Sequence, residues 1–340
     1  MHNLALALEA SVLCQEVDIV STGVESLAVA ALLSSRGRAV RFAQEVVPPE
    51  QLLIRGDNIS YKAGRLSFAA GVESDYMYRS SDMLLACGNA SDYRKALHMV
   101  AEMLRPGQTV FVVDAPMGTT FELSCLIFKL RKRMAVNIIE MGPLFDSCKF
   151  EGRSLEISGL KEQVQICGRS VNETRSGLDI GRQLFNGLVP ASNVLERGLS
   201  DVSKILQIAV RLFHLSRVKK GLSLNVLSSE EEKFLDTIEA ELHAIGKMYK
   251  VGVSERAALS FEFSDHVEHE KQRLFAAVTD TLFLLQELAS VAYLSVPGIE
   301  SLIERSSEML GLDLRSDARK LVDLGLSNMD VREIIELINS

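Results

Sequence analysis

Short β-rich runs alternate with helical patterns through the first 190 residues or so, and from about Ser192 only helical patterns follow. That single change of period constrains the fold more than any other feature. Apolar residues recurring at every second position suit a strand, and recurrence every three to four suits a helix. Strand patterns fall at Glu16–Thr22, Arg38–Phe42, Asp82–Cys87, Thr109–Val113 and Val136–Glu140, with further β segments near 154–158 and 163–167. Helical patterns lie between them at 24–36, 90–104 and 119–132, the first stopped by Gly37 and the second followed by the Pro106-Gly107 turn. Residues 50–80 carry short alternating segments punctuated by Gly56, Gly64 and Gly71, which suggests a hairpin-like insertion. Strand–helix–strand units in series predict a Rossmann-like, doubly wound parallel sheet. Downstream, helices are expected at 193–216, 229–250, 264–294, 298–310, 315–324 and 329–338. The expected organisation is an α/β domain over 1–190 and an all-helical domain over 191–340.

Two domains suit a chain of 340 residues. With 37 Lys and Arg against 45 Asp and Glu, the formal net charge is 37 − 45 = −8. That balance argues against a general nucleic-acid binder, which needs a basic surface. No run of 18 consecutive apolar residues occurs, so no membrane partner is expected. The apolar N-terminus lacks a basic start and carries Glu9, unlike a secretory leader. Cysteines 14, 87, 125, 148 and 167 form no CxxC pair; free thiols, no structural metal and a cytoplasmic setting are expected.

The first strand runs into Gly23-Val24-Glu25-Ser26-Leu27-Ala28, where a dinucleotide-binding turn has the pattern G-x-G-x-x-G/A. Gly23 supplies the tight turn and Ala28 the close helix–strand packing. The middle glycine, which lets the backbone approach a pyrophosphate, is Glu25, adding bulk and a like charge. The second strand ends at Phe42-Ala43-Gln44, without the acid expected for a ribose hydroxyl; Glu45 follows one step later. Arg38 and Arg41 are candidate partners for a 2′-phosphate. NAD and NADP both stay open.

Five segments together resemble the opine dehydrogenase family (octopine and nopaline dehydrogenases and N-carboxyethyl amino acid dehydrogenases). They are Gly23–Phe42, Ser81–Ala90, Leu104–Val110 with Pro116–Glu122, Asn193-Val-Leu-Glu196 with Leu199, and Val296–Ile303 with Leu310–Asp313 and Ala318–Leu326. The resemblance spans nearly the whole chain from about residue 16. It implies a nucleotide-binding domain followed by a helical domain of the 6-phosphogluconate dehydrogenase C-terminal type. It implies reduction, by NAD(P)H, of the imine formed between an amino acid and a 2-oxo acid, in a cleft between domains. Gly23, Val24, Glu25, Ser26 and Asn89 would then meet the nucleotide. Glu140 and Arg211 would bind substrate, with Lys149 near the family's usual Arg. Lys204, Gln207 and Asp280 would form the catalytic set.

The departures from the family fall at the chemistry. Gln207 stands where the family has a His, and an amide does not exchange protons near neutral pH. Asp280 is the one candidate for the family's catalytic Asp, and Asn89 replaces a Pro beside the nucleotide. Glu25 and Gln207 together open a second reading: a relative without nicotinamide chemistry that catalyses another small-molecule step or serves as a binding or assembly partner. A homodimer through the broad apolar faces of the helical domain is also expected.

Other constellations carry less. At helical spacing, Asn193, Arg197, Ser200, Lys204, Gln207, Arg211 and His214 form a polar stripe. His214 lies two turns beyond Gln207 and is a second candidate proton carrier. His266 and His269 sit at i, i+3 beside Glu262, Asp265 and Glu270, but no third ligand at a fixed spacing accompanies them. Arg131-Lys132-Arg133 and Lys219-Lys220 suit helix ends or a solvated surface. Cys87, without a neighbouring His, suits a buried thiol.

Overall fold

A computed structural model describes residues 16–20, 23–42, 51–55, 60–61, 83–87, 93–131, 134–151, 154–222, 226–259, 261, 263 and 266–340. The chain forms two compact units: residues 1–115 with 126–191, and residues 116–125 with 192–340.

In the first stretch of chain the elements are β1 (Glu16–Ile19), α1 (Val24–Ser35), β2 (Ala39–Phe42), β3 (Gln51–Arg55), β4 (Ser60–Tyr61), β5 (Met83–Cys87), α2 (Tyr93–Met103), β6 (Thr109–Val113) and α3 (Thr119–Arg131). They continue as β7 (Asn137–Met141), β8 (Phe145–Glu151), β9 (Ser154–Leu160), β10 (Val164–Cys167), α4 (Val171–Gly181) and β11 (Leu188–Pro190). A seven-stranded sheet has the order β11-β10-β7-β6-β5-β1-β2. Its five strands β2, β1, β5, β6 and β7 are parallel, as the alternation predicts. β10 then runs antiparallel to β7, with β11 parallel to β10. The reason is local: β7 and β10 are joined through other strands, without the crossover helix that a parallel neighbour needs.

The intervening strands β8 and β9 join β3 and β4 in a second sheet, β4-β3-β9-β8. β3 and β4 pair antiparallel, in keeping with a hairpin in the 50–80 region, and β8 forms a hairpin with β9. α1 touches β2 and β5 of the larger sheet and β8 and β9 of the smaller one. Its residues Ser26–Ser34 are all buried. This explains its composition, VESLAVAALLSS, which is small and apolar on every side rather than along one stripe. Leu27, Val29, Leu33, Phe42, Phe111, Ile139, Leu155 and Ile157 lie in one continuous core. Neither β8, β11 nor α4 is legible in the sequence pattern.

The helical unit contains α5 (Val194–Leu199), α6 (Val202–Val218), α7 (Ser229–Tyr249), α8 (Val267–Ala277), α9 (Phe283–Val291), α10 (Pro297–Leu310) and α11 (Val331–Ile338). The expected helix 193–216 is two helices. Asn193 caps α5 by accepting from the N–H groups of Leu195 and Glu196 at 3.1 and 3.0 Å. Asp201 starts α6 afresh by accepting from Lys204 N–H at 3.1 Å. Short polar side chains that can cap do so here, and the chain bends between the two caps. The polar stripe is therefore not one face: Asn193 turns to Asn339 (2.9 Å) and Arg197 is buried.

The pattern at 264–294 becomes one helical run, α8 and α9 joined by a π-helical turn at Val278–Leu282. Val267–Val291 is long and apolar enough to cross a membrane, but 61% of its most apolar window is buried inside the fold, as in a core helix. α10 begins with Pro297 and has no cap of its own. Glu241 of α7 supplies one, accepting from Gly298 and Ile299 N–H at 2.6 and 2.8 Å. The expected helix at 315–324 is a series of turns. Its backbone is drawn elsewhere: Arg319 N–H donates to the Thr279 carbonyl at 2.8 Å and Leu321 N–H to Glu287 at 2.6 Å. Tertiary acceptors replace the i−4 carbonyls that a helix would use.

Candidate functional site

In the seven-stranded sheet β1 has β2 on one side and β5 on the other. The chain winds outward in opposite directions from that point, and ligands of such sheets bind beyond the carboxyl ends of the strands there. Gly23 follows β1 at this switch point and is the N-cap residue of α1, its carbonyl accepting from Leu27 N–H at 3.1 Å. Gly23, Val24 and Glu25 are half-buried, whereas Ser26 is fully buried. The accessible part of the turn is thus its first three residues. Glu25 lies in the first turn of α1, where a carboxylate meets the positive end of the helix dipole.

Arg41 is committed elsewhere: its Nε donates to Asp18 at 2.7 Å across the β1–β2 register, and Asp18 is fully buried. Arg38 donates to the Gln183 carbonyl at 2.8 Å. Glu140 is fully buried in β7. Lys149 lies 3.7 Å from Glu156 on the neighbouring strand. Asn89 and Glu45 lie outside the described residues, and Cys87 is described only as backbone of β5.

In the helical unit, Lys204 is exposed on the first turn of α6 and Gln207 is half-buried one turn on. Arg211 follows another turn later, its Nε donating to Glu270 of α8 at 2.8 Å. Glu270 is 1% exposed, and its other oxygen accepts from Arg273 at 3.5 Å. Two guanidinium groups thus share one buried carboxylate, for a local charge of 2 − 1 = +1. Burial pulls the Arg211 pKa down, and the Glu270 charge opposes that pull. A cation in this setting with N–H donors to spare suits an anionic group of a ligand. In the sequence Glu270 stands out only as a neighbour of His266 and His269, not as the partner of Arg211. The two His rings stand edge to face at 6.2 Å. Among the described residues no group of three His, Cys, Asp or Glu could hold a metal ion.

His214 stacks on Phe263, with ring centroids 3.8 Å apart and planes 6° from parallel. Its Nδ1 is buried with no hydrogen-bond partner among the described residues. Burial holds its pKa below the ordinary 6.5; Glu270 pushes it up and Arg211 pushes it down. The burial favours the neutral imidazole. A His with a depressed folded pKa contributes stability above the unfolded value, and that stability is lost as pH falls through 6.5 toward the folded value. Between pH 7.5 and 5.5 the wild type is expected to lose more thermal stability than His214→Gln. Parallel melting-temperature curves for the two proteins would exclude it.

Asp280 sits in the π-helical turn and is 8% exposed. Such turns wind wider than an α-helix and recur at functional sites. The sequence gives no sign of the π turn. Nor does it single out Arg319, fully buried, whose Nε donates to Glu122 at 2.5 Å and whose Nη1 donates to the Met117 carbonyl.

No protein-family model and no curated protein sequence matches the chain. Solved structures match it closely in shape. An octopine dehydrogenase studied with NADH and pyruvate superposes with a TM-score of 0.65 at 13% identity, covering 91% of this chain and 95% of its own. A yersinopine dehydrogenase with bound NADP+ gives a TM-score of 0.63 at 12% identity, covering 100% and 99%. A PanE/ApbA family ketopantoate reductase from Ralstonia eutropha JMP134 gives 0.61 at 14% identity, covering 87% and 98%. The chain has the two-domain fold that these dehydrogenases and reductases share.

Proposed function

We propose that the protein is an NAD(P)-linked oxidoreductase acting on a small carboxylate, of the kind formed when an amino acid condenses with a 2-oxo acid. The observation that carries this reading is the Gly23 turn at the switch point between β1 and β5, in a chain that matches NADH- and NADP+-bound dehydrogenases over nearly its whole length. The N–H groups of the first turn of α1 are suited to a diphosphate. A reduced nicotinamide held there would supply the hydride for reducing the imine. The protein's own part is to hold the substrate carboxylate, for which Arg211 has the charge and Lys204 is a second cation on the same helix. Gln207 can orient a substrate by hydrogen bonds but does not exchange its proton, so Asp280 is the group assigned to proton transfer at the nitrogen. The octopine dehydrogenase relatives in shape were studied with pyruvate, arginine and agmatine, which fits an amino-acid and oxo-acid pair here.

Calorimetric titration of the full chain with NADH and with NADPH tests the reading. Binding with Kd below about 1 mM is expected for one of them, within the range common for enzyme ligands. No heat with either at millimolar nucleotide would overturn it. That result would favour the alternative, in which Glu25 and Gln207 mark a relative that has left nicotinamide chemistry.

A further inference from the structure

The segment Pro116–Cys125 begins three residues after the end of β6, yet it belongs to the helical unit. One buried side chain contributes directly to that attachment. Arg319 is fully buried and reaches this segment twice, through Nε to Glu122 and through Nη1 to the Met117 carbonyl. Its own backbone N–H donates to the carbonyl of Thr279, the residue before Asp280 in the π-helical turn. The fit around it is close. A Cβ at Gly118, where φ is +77°, would lie 2.5 Å from Leu324, and one at Gly325, where φ is +72°, 2.8 Å from the Cys125 sulfur. Leu321 N–H fixes the same turn to Glu287 of α9.

We propose that Arg319 is a positioning residue that couples the Met117–Glu122 segment to the placement of Asp280. In a π turn the carbonyls bond five residues on instead of four, and the Thr279 carbonyl accepts from a donor outside the helix, which helps to set its geometry. That donor is the backbone of Arg319, and the side chain of Arg319 is anchored on Met117 and Glu122. Movement of the segment after β6 is thereby transmitted to Asp280 through one residue. The role of Asp280 toward substrate rests on the function proposed above; the coupling itself does not.

Hydrogen–deuterium exchange on the full chain without ligand separates the two. Glu122→Gln weakens the anchor without touching residues 278–282. Amide exchange is expected to rise at least tenfold over both 117–122 and 276–284, while 229–249 in α7 keeps its wild-type rates. A rise confined to 117–122 would overturn the proposal. If Glu122→Gln does not fold, Glu122→Asp, which keeps the charge but shortens the reach, serves the same comparison. Once nucleotide binding is established, Glu122→Gln is expected to lower kcat per folded molecule at least fivefold, because Asp280 is assigned to proton transfer, and to leave nucleotide Kd within twofold. A merely structural role would scale kcat with the folded fraction and leave kcat per folded molecule unchanged. Failure of the nucleotide titration with coupled exchange intact would sink the functional reading and leave the coupling standing.

Discussion

Arg319→Met is expected to lower the stability of the helical unit by about 3–5 kcal/mol, the usual cost of removing one partner from a buried ion pair. Three groups lose their partner or its geometry together: the Glu122 carboxylate, the Met117 carbonyl and, through backbone shifts, the Thr279 carbonyl. The Glu122 charge is the decisive loss, because its side chain is only 10% exposed and water reaches it poorly. The chemical-denaturation midpoint of the folded protein checks this. The double variant Arg319→Met with Glu122→Leu is expected to recover a large part of the loss, since replacing a buried pair by apolar groups is often near neutral. A double variant as unstable as the single one would show that packing around Gly118 and Gly325, and not the charge, holds this region.

Glu25→Gly is expected to tighten nucleotide binding about thirtyfold. A unit charge about 8 Å from another, at an effective dielectric near 20, is worth about 2 kcal/mol, which is roughly thirtyfold in Kd. The gain opposes a smaller loss: a carboxylate in the first turn of α1 stabilises the helix by about 0.3–1 kcal/mol, and glycine costs about 1 kcal/mol relative to alanine inside a helix. Affinity should therefore rise while the melting temperature falls slightly. Glu25→Gln separates charge from bulk, since it removes the repulsion and keeps the side chain. Calorimetry on the three proteins measures both quantities, and an unchanged Kd in Glu25→Gly would mean that this turn does not face the diphosphate.

The legible parts of this fold were those whose period is local. β6 at Thr109–Val113, a short apolar run buried along its whole length, and α7 at Ser229–Tyr249, apolar along one face, stand where the sequence puts them. The misread parts were those whose hydrogen bonds go to distant residues. The turn at 315–324 has a helical pattern but donates to Thr279 and Glu287, and the helix over 193–216 breaks where Asn193 and Asp201 each cap a new start. At the candidate site the sequence exposes Gly23, Glu25 and Gln207, whose residue types speak for themselves in a known motif. It hides Glu270 and Arg319, ordinary surface-type residues that become buried partners only after helices pack.

By itself, then, the sequence determined the order of an α/β unit and a helical unit, the glycine turn after the first strand, and the residues, Glu25 and Gln207, that depart from the pattern it resembles. All of these depend on residue type and near-neighbour spacing. Only the tertiary structure decided that Arg41 belongs to Asp18, that Arg211 shares Glu270 with Arg273, and that Arg319 joins Glu122 to the turn carrying Asp280. A charge buried in a fold must find a counter-charge or a carbonyl, and which one it finds is set by the packing of elements that lie far apart in the chain.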